Sequence, residues 1–222
     1  MKNLTVVITL LASIFAITGA FAQESDSTFQ LPRFKKDSVS IWLSPSNQIN
    51  NIGFGSFGTE KDRMNAVADV VEPILKKQGV KVYRNDPQET IRDYTRRANE
   101  LKVDLYFAIH SNAFNGKVRG NEVWHHRRGG EGEQFAKGLN KAIMSIYDGP
   151  NRGTKEGYNC YNGKPMWETS DSNMPACLIE IAFHDNEEDA KWIIDNTRQI
   201  GEVLARAVLE HLAEYHPDAL LK

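Results

Sequence analysis

The stretch that most constrains the fold runs from Leu105 to Ala113 and reads Leu-Tyr-Phe-Ala-Ile-His-Ser-Asn-Ala. Its first five residues are apolar and rich in aromatic and β-branched types, which is typical of a strand buried on both faces. The run stops at His110, Ser111 and Asn112. Since ligands of open α/β sheets collect outside the carboxyl ends of the strands, we expect His110 to face a crevice. From its position alone, this histidine could instead have only a structural role, as the hydrogen-bond donor to a backbone carbonyl.

Strands and helices alternate on the N-terminal side of this stretch. Residues 39–43 and 80–83 have the residue types of strands, and between them lies a helical stripe of apolar residues that ends at Gly79. A second helical stripe, over residues 91–101, leads into the strand at Leu105. Parallel strands joined by crossover helices form right-handed units. The pattern therefore predicts an α/β fold with a mostly parallel sheet and helices on both faces.

The C-terminal half continues the alternation with less regular order. We expect strands over residues 121–124 and 176–183, and helices over residues 133–147 and 187–215, the last with a break near Asn196. Residues 148–164 are rich in Gly and Asn and are interpreted either as a substrate rim or as a surface loop. Residues 167–169 are expected to form a short strand.

The first 22 residues have the properties of a secretory signal peptide. Lys2 is followed by an apolar core that is too short for a stable membrane span, and Ala20-Phe21-Ala22 matches the cleavage pattern. An uncleaved anchor is the alternative. We expect a linker over residues 23–38, one domain over residues 39–216 and a tail over residues 217–222. The protein is then expected to be secreted, periplasmic or extracellular, with no membrane contact after signal cleavage.

Charge and cysteine content limit the possible partners and the redox chemistry. The formal net charge is −2 and the pI is about 6.3, so the chain has no basic field for nucleic acid, and no nucleic-acid partner is expected. We expect a monomer. Two cysteines, Cys160 and Cys177, are too few for a disulfide framework. They either pair in an oxidising compartment or leave Cys177 as a buried thiol.

Three polar residues near the predicted strand ends could carry chemistry. Glu60 follows the loop after the first strand, His110 ends a later strand, and Glu180 lies inside the apolar run from Ala176 to Phe183. Burying an ionised carboxylate costs several kcal/mol unless it is paired or faces a cleft. Glu180 is therefore either half of a buried ion pair or an acid/base group with a raised pKa. A histidine and a glutamate on the metal, with a second glutamate off it, are the parts of a zinc hydrolase.

A series of short motifs follows the predicted elements in order. They read Glu-Lys-Asp, Gly-Val-Lys-Val-Tyr-Arg, Arg-Ala-Asn, Ala-Ile-His-Ser-Asn-Ala, Arg-Gly-Asn-Glu-Val and Pro-Ala-Cys-Leu-Ile-Glu-Ile-Ala-Phe-His-Asp-Asn. Together they resemble the zinc-dependent N-acetylmuramoyl-L-alanine amidases, the peptidoglycan amidases of the third amidase family. The resemblance implies a mixed six-stranded sheet with one Zn²⁺ at the strand ends. It also implies hydrolysis of the amide bond between the lactyl group of muramic acid and L-alanine in peptidoglycan or muropeptides.

The resemblance assigns roles to the same three residues and shows one departure. Carried over by position, Glu60 and His110 match metal ligands, and Glu180 matches the catalytic glutamate, a general base that then protonates the leaving amine. The family's first strand normally ends Asp-Pro-Gly-His-Gly-Gly, whereas this chain has Ser-Pro-Ser-Asn-Gln. Asn47, or Gln48 after a slip of one residue, replaces the first ligand histidine. Because an uncharged amide oxygen is a poorer zinc ligand than imidazole, we expect weaker zinc binding.

Two other functions stay open at this point. One is a non-catalytic peptidoglycan-binding protein with a degenerate metal site, and the other is a related zinc peptidase. His184 lies four residues after Glu180 and would be about 13 Å from it on an extended strand, too far to share a metal unless the chain bends after Phe183. Arg119 is interpreted either as a groove residue or as a turn cap.

Overall fold

The computed structural model describes residues 30–86, 88–126, 128, 130–160 and 163–222. The predicted signal peptide and most of the predicted linker lie outside these residues. Residues 31–222 form one compact unit, and Phe34 near its start is buried and pairs with Leu220 in an isolated bridge. Within the described part of the chain, no helix has the length and apolar character needed to cross a membrane.

Six strands form a single mixed sheet. In chain order they are β1 (Ser40–Pro45), β2 (Lys81–Arg84), β3 (Leu105–Asn112), β4 (Asn121–His125), β5 (Asn151–Glu156) and β6 (Ala176–Phe183). Their order across the sheet is β2-β1-β3-β6-β4-β5, and all neighbours are parallel except β4 and β6. The predicted α/β class and the mixed, mostly parallel six-stranded sheet are confirmed.

Helices cover both faces of this sheet. They are α1 (Glu60–Lys77), α2 (Ile91–Leu101), α3 (Glu131–Met144), α4 (Trp167–Ser170) and α5 (Glu187–Tyr215). Alternate residues of β3 point to opposite sides: Phe107 belongs to the core formed with α1, α3 and α5, and Tyr106 to the core formed with α2. The central strand is thus buried on both faces, as its apolar run predicts.

Three local predictions are wrong. Residues 148–164 contain the edge strand β5, whose polar, half-exposed residues lack an apolar alternation. The strand predicted over residues 167–169 is the helix α4, where the amides of Thr169 and Ser170 donate to Met166 O. Helix α5 runs without a break through Asn196, whose side chain donates to Trp192 O.

Both cysteines are buried free thiols. Cys177 donates from Sγ to Gly132 O at 3.0 Å, and burial raises the pKa of its thiol well above the ordinary value. Of the two alternatives from the sequence, the structure has the buried thiol and no bridge between Cys160 and Cys177.

Candidate active site

The sheet brings the three candidate residues to one edge. His110 and Glu180 are paired across β3 and β6, close to the carboxyl ends of both strands. Glu60 is the first residue of α1, and Thr59 caps that helix by accepting a hydrogen bond from the Asp62 amide. Because the parallel strands end together, residues that are 50 and more positions apart in the sequence meet in one buried cluster.

His110 lies between two carboxylates. Its Nδ1 is 2.9 Å from Glu60 Oε1, and its Nε2 is 2.9 Å from Glu168 Oε2. Burial alone would lower the pKa of this imidazole, but the hydrogen bonds to Glu168 and Glu60 raise it well above the ordinary value. Burial in turn opposes ionisation of Glu60, yet the contact with His110 holds its pKa below the ordinary value. The three side chains form a buried, charge-assisted hydrogen-bond array.

Glu168 is the member of this array that the sequence reasoning missed. Its Oε1 accepts hydrogen bonds from Ser44 Oγ at 2.6 Å and from Tyr106 OH at 2.9 Å. The residue lies on α4, which is too short to show a helical periodicity, and its side-chain partners are 58 to 124 residues away in the sequence. No local pattern could have identified it.

Glu180 is buried, and no arginine among the described residues forms the ion pair that one of the sequence alternatives required. Its Oε2 has no hydrogen-bond partner within the part of the chain that the structure describes. The pKa of Glu180 is raised to about 8: burial is the main cause, His110 opposes it, and neighbouring Glu60, Glu122 and Glu168 add to the rise. A carboxyl with this pKa exchanges a proton near neutral pH, which is what a general acid/base requires.

The two amide residues predicted as replacement ligands, Asn47 and Gln48, have different hydrogen-bond partners. Asn47 donates from Nδ2 to Tyr94 OH at 2.8 Å and to Glu89 O at 3.2 Å, so these bonds lead toward α2. Gln48 Oε1 lies 3.5 Å from Asn51 Nδ2, and the same Asn51 nitrogen donates to Glu60 Oε2 at 2.7 Å. Gln48 is therefore the amide that shares a hydrogen-bond donor with Glu60.

His184 comes near the cluster because the chain bends where β6 ends. The pairing of β3 with β6 shifts register after His110. His184 Nδ1 lies 2.8 Å from Ser111 Oγ, and its Nε2 lies 3.0 Å from Asn51 Oδ1. Two hydrogen bonds thus connect His184 to Glu60 indirectly, through the side chain of Asn51.

The donor set fits part of a zinc site. A Glu60 oxygen and a ring nitrogen of His110, 2.9 Å apart, are close enough to share an ion at about 2.0–2.2 Å from each donor. No group of three His, Cys, Asp or Glu residues among those described is arranged to hold a metal ion. Within the described part of the chain, a third protein donor would therefore have to be a weaker one, such as an uncharged amide oxygen.

Arg119 does not line the cluster. Its Nε donates to Asp189 Oδ1 at 2.7 Å, and its guanidinium also pairs with Glu188 at the start of α5.

Asn112, at the end of β3, donates to Glu122 Oε1 at 3.0 Å. Glu122 also accepts from Arg152 and Lys155, so these side chains form a second polar group beside the first.

Comparison with known sequences identifies a family. A family model described as N-acetylmuramoyl-L-alanine amidase matches residues 44–210. An uncharacterized cell wall amidase of Bacillus anthracis is 26% identical over 127 residues, which are 54% of this chain and 22% of that protein. An uncharacterized protein of Clostridium perfringens is 28% identical over 119 residues, which are 52% of this chain and 34% of that protein. The matched region is thus at most about a third of the length of these curated relatives.

Solved structures share the fold. An N-acetylmuramoyl-L-alanine amidase of Nostoc punctiforme superposes with a TM-score of 0.68 at 22% identity, covering 80% of this chain and 98% of that one. One from Clostridium difficile superposes with a TM-score of 0.67 at 23% identity, with the same coverage of 80% and 98%. At this level of identity the likeness establishes the architecture, and the chemistry has to be argued from the side chains.

Proposed function

The chain belongs to the N-acetylmuramoyl-L-alanine amidase family, and from this membership and the geometry of the cluster we propose that it hydrolyses the amide bond between the lactyl group of muramic acid and L-alanine in peptidoglycan. The observation that carries the proposal is Glu180, a buried carboxyl beside His110, one oxygen of which has no hydrogen-bond partner among the residues that the structure describes. We also propose that residues 1–22 direct the export of the protein from the cytoplasm to the cell exterior or periplasm, where peptidoglycan lies.

Glu180 is the proposed catalytic residue. In its ionised form, which a pKa of about 8 keeps accessible near neutral pH, it takes a proton from the attacking water and returns that proton to the leaving amine. Its position between β3 and β4 keeps it out of bulk water, which strengthens its interaction with charges that form during the reaction. The reaction needs a carboxyl that changes between its ionised and protonated forms near the working pH.

Zinc dependence is part of the proposal. Glu60 and His110 would hold the ion, and of the two amides proposed from the sequence Gln48 is better placed than Asn47 to act as a weak third donor. When bound, zinc would polarise the lactyl carbonyl and increase the acidity of the attacking water. Since only two strong donors are present among the described residues, we expect weaker zinc affinity than a three-ligand site provides.

The test is digestion of purified peptidoglycan by the zinc-loaded protein, with mass spectrometry to identify the broken bond. Wild-type protein is expected to release stem peptides that begin with L-alanine. Glu180→Gln should reduce the rate by about 10²- to 10⁴-fold without changing the zinc content, because it removes the acid/base group and keeps the shape. The control is Glu202→Gln, a surface carboxylate of α5 paired only with Arg198 in the described contacts. Cleavage of a different bond, or full activity of Glu180→Gln, would contradict the proposal.

A second function is favoured by the incomplete donor set. With two strong ligands, the protein would bind peptidoglycan without hydrolysing it if zinc affinity were too low to load the site. Sedimentation with insoluble peptidoglycan separates the two functions: a binder co-sediments, releases no peptide and is unaffected by Glu180→Gln. A related zinc peptidase would instead cleave within the stem peptide.

A further inference from the structure

The row of side chains that contains Glu180 continues across the sheet. Glu180 is paired with His110 of β3 on one side and with Glu122 of β4 on the other. Because directly paired residues of neighbouring strands point to the same face of a sheet, these three side chains lie side by side. Neighbouring strands are about 4.8 Å apart, so Glu122 lies one strand beyond the proposed catalytic residue.

Glu122 holds two cations of the edge strand β5. Arg152 Nε donates to Glu122 Oε2 at 2.7 Å, and Lys155 Nζ donates to the same oxygen at 2.6 Å. The other oxygen, Oε1, accepts from the uncharged Asn112 amide. Two cations that share one carboxylate leave one positive charge in excess, which attracts an anion to this side of the active site.

The Arg152 side chain is fixed along its length. Its guanidinium carbon lies 5.1 Å from the centroid of the Phe183 ring, at the end of β6. Its Cγ and Cδ pass so close to Gly120 that a Cβ at this glycine would lie 2.8 Å from each of them. Among the described residues, Nε is the guanidinium nitrogen that donates to the protein, and the side chain is 36% exposed. The two terminal nitrogens are therefore presented by a preorganised side chain.

We propose that Arg152 is a specificity-determining residue whose terminal nitrogens bind a free carboxylate of the stem peptide, carried by the residue that follows L-alanine. This inference rests on the proposed function and deepens it, because it assigns a charge preference to the substrate of the same site.

The spacing of the groups matches the length of the peptide. The cleaved amide has to lie within about 3 Å of Glu180 for proton transfer. The guanidinium of Arg152, hydrogen-bonded to Glu122, lies about one strand spacing and one hydrogen bond further along the row. An extended peptide covers about 3.4 Å per residue, so the residue after L-alanine, two steps from the cleaved bond, comes next to Arg152.

The guanidinium discriminates between a carboxylate and its amide. Two parallel N–H groups match the two oxygens of a carboxylate, and this charged pair is among the stronger hydrogen-bonded contacts in proteins. An amide has one acceptor oxygen, and its NH₂ group would face a second donor of Arg152. The excess positive charge that Lys155 contributes also favours the anion.

The experiment compares two ligands that differ in one group. Both are N-acetylmuramoyl-L-alanyl-γ-D-glutamyl-L-lysine; one has a free α-carboxyl on the glutamyl residue and the other has the α-amide. Isothermal titration calorimetry with metal-free protein at low ionic strength measures binding without hydrolysis. We expect the wild-type protein to bind the α-carboxyl ligand about 10-fold more tightly than the α-amide ligand.

Arg152→Met is the decisive variant. It removes the guanidinium, while Lys155 and Asn112 remain as partners of Glu122. We expect the two ligands to bind this variant within about twofold of each other, at the affinity that the wild type has for the α-amide ligand. A purely structural role of Arg152 would instead weaken the binding of both ligands alike. The control is Arg198→Met on α5, which removes an arginine that is 87% exposed and should keep the wild-type preference.

Arg152→Lys keeps a cation beside Glu122 but has no guanidinium fork, and it remains available should Arg152→Met not fold, as judged by its melting curve. We expect it to lower the preference to about threefold, because a lysine is a poor replacement where two parallel donors are needed.

The inference is overturned if wild-type protein binds neither ligand or binds both equally, or if both Arg152 variants keep the full preference. Failure of the proposed function gives a different result. The zinc-loaded wild-type protein would then release no peptide from either ligand, while the preference of the metal-free protein and its loss in Arg152→Met remain.

Discussion

Asp189 joins three segments next to the cluster, and replacing it with asparagine should destabilise the protein strongly. The side chain is fully buried. Its Oδ1 accepts from Arg119 Nε and Tyr147 OH, both at 2.7 Å, and its Oδ2 accepts from the amides of Gly120 at 3.1 Å and Phe183 at 3.0 Å. One carboxylate therefore connects the first turn of α5 to the end of β6 and to the residues that precede β4.

The magnitude follows from what asparagine cannot do. Its amide nitrogen replaces one acceptor oxygen, so two of the four hydrogen bonds are lost, and the charge opposite Arg119 disappears. Hydrogen bonds to charged groups contribute about 1.5–3 kcal/mol each, and breaking a buried ion pair costs about 3–5 kcal/mol. Because the Arg119 side chain is 26% exposed and keeps Glu188 as a partner, we take the lower end, about 3 kcal/mol. For a domain of this size that corresponds to a fall in Tm of about 6–12 °C.

Urea unfolding and thermal melting, both followed by circular dichroism, measure the effect of Asp189→Asn. The matched control is Glu188→Gln, which removes the other carboxylate that contacts Arg119. Its side chain is 71% exposed, so we expect a loss below about 1 kcal/mol. Equal losses for the two variants, or a loss below about 1 kcal/mol for Asp189→Asn, would show that the buried hydrogen bonds do not carry the stability assigned to them.

Two further predictions concern buried ionisable groups. Burial alone would raise the pKa of Glu122, but hydrogen bonds from Lys155 and Arg152 hold it below the ordinary value of 4.5. A carboxyl with a lowered folded-state pKa stabilises above its unfolded pKa and loses that contribution as the pH falls. Glu122→Gln should therefore cost about 2 kcal/mol at pH 7 and progressively less below about pH 4.5, as measured by urea unfolding; a constant loss would contradict this. In a Cys160→Ser variant, the Cys177 thiol, buried and with a raised pKa, should react with Ellman's reagent only after unfolding, and rapid reaction of the native variant would refute this.

The elements that could be predicted from the sequence are those with strong periodic or apolar signals. Strand β3 is identifiable because its apolar run is buried on both faces and stops at His110. Glu180 is identifiable for the opposite reason, since a charge inside an apolar run requires an explanation. Strand β5 could not be identified, because an edge strand with polar, half-exposed residues carries no alternation. Glu168 could not be identified either, because its contacts depend on tertiary structure alone.

Distance estimates from the sequence also depend on local regularity. The estimate for His184 assumed an extended strand, and the register shift at the end of β3 invalidates that assumption. The bend lets His184 contact Ser111, the residue next to His110. Irregularities of this kind are common next to active sites, where they redirect a side chain, and they leave no clear signal in a single sequence.

Charge balance distinguishes the two groups of buried carboxyls at this edge of the sheet. Glu122 is neutralised by Arg152 and Lys155, whereas Glu60, Glu168 and Glu180 surround His110, whose raised pKa makes it a single positive charge. Three buried carboxyls cannot all ionise around one imidazolium without a large electrostatic cost. Glu180, with a pKa of about 8, therefore retains its proton in most molecules near neutral pH. Burial, together with these neighbouring carboxylates, raises the pKa of Glu180 into the range that the proposed acid/base role requires.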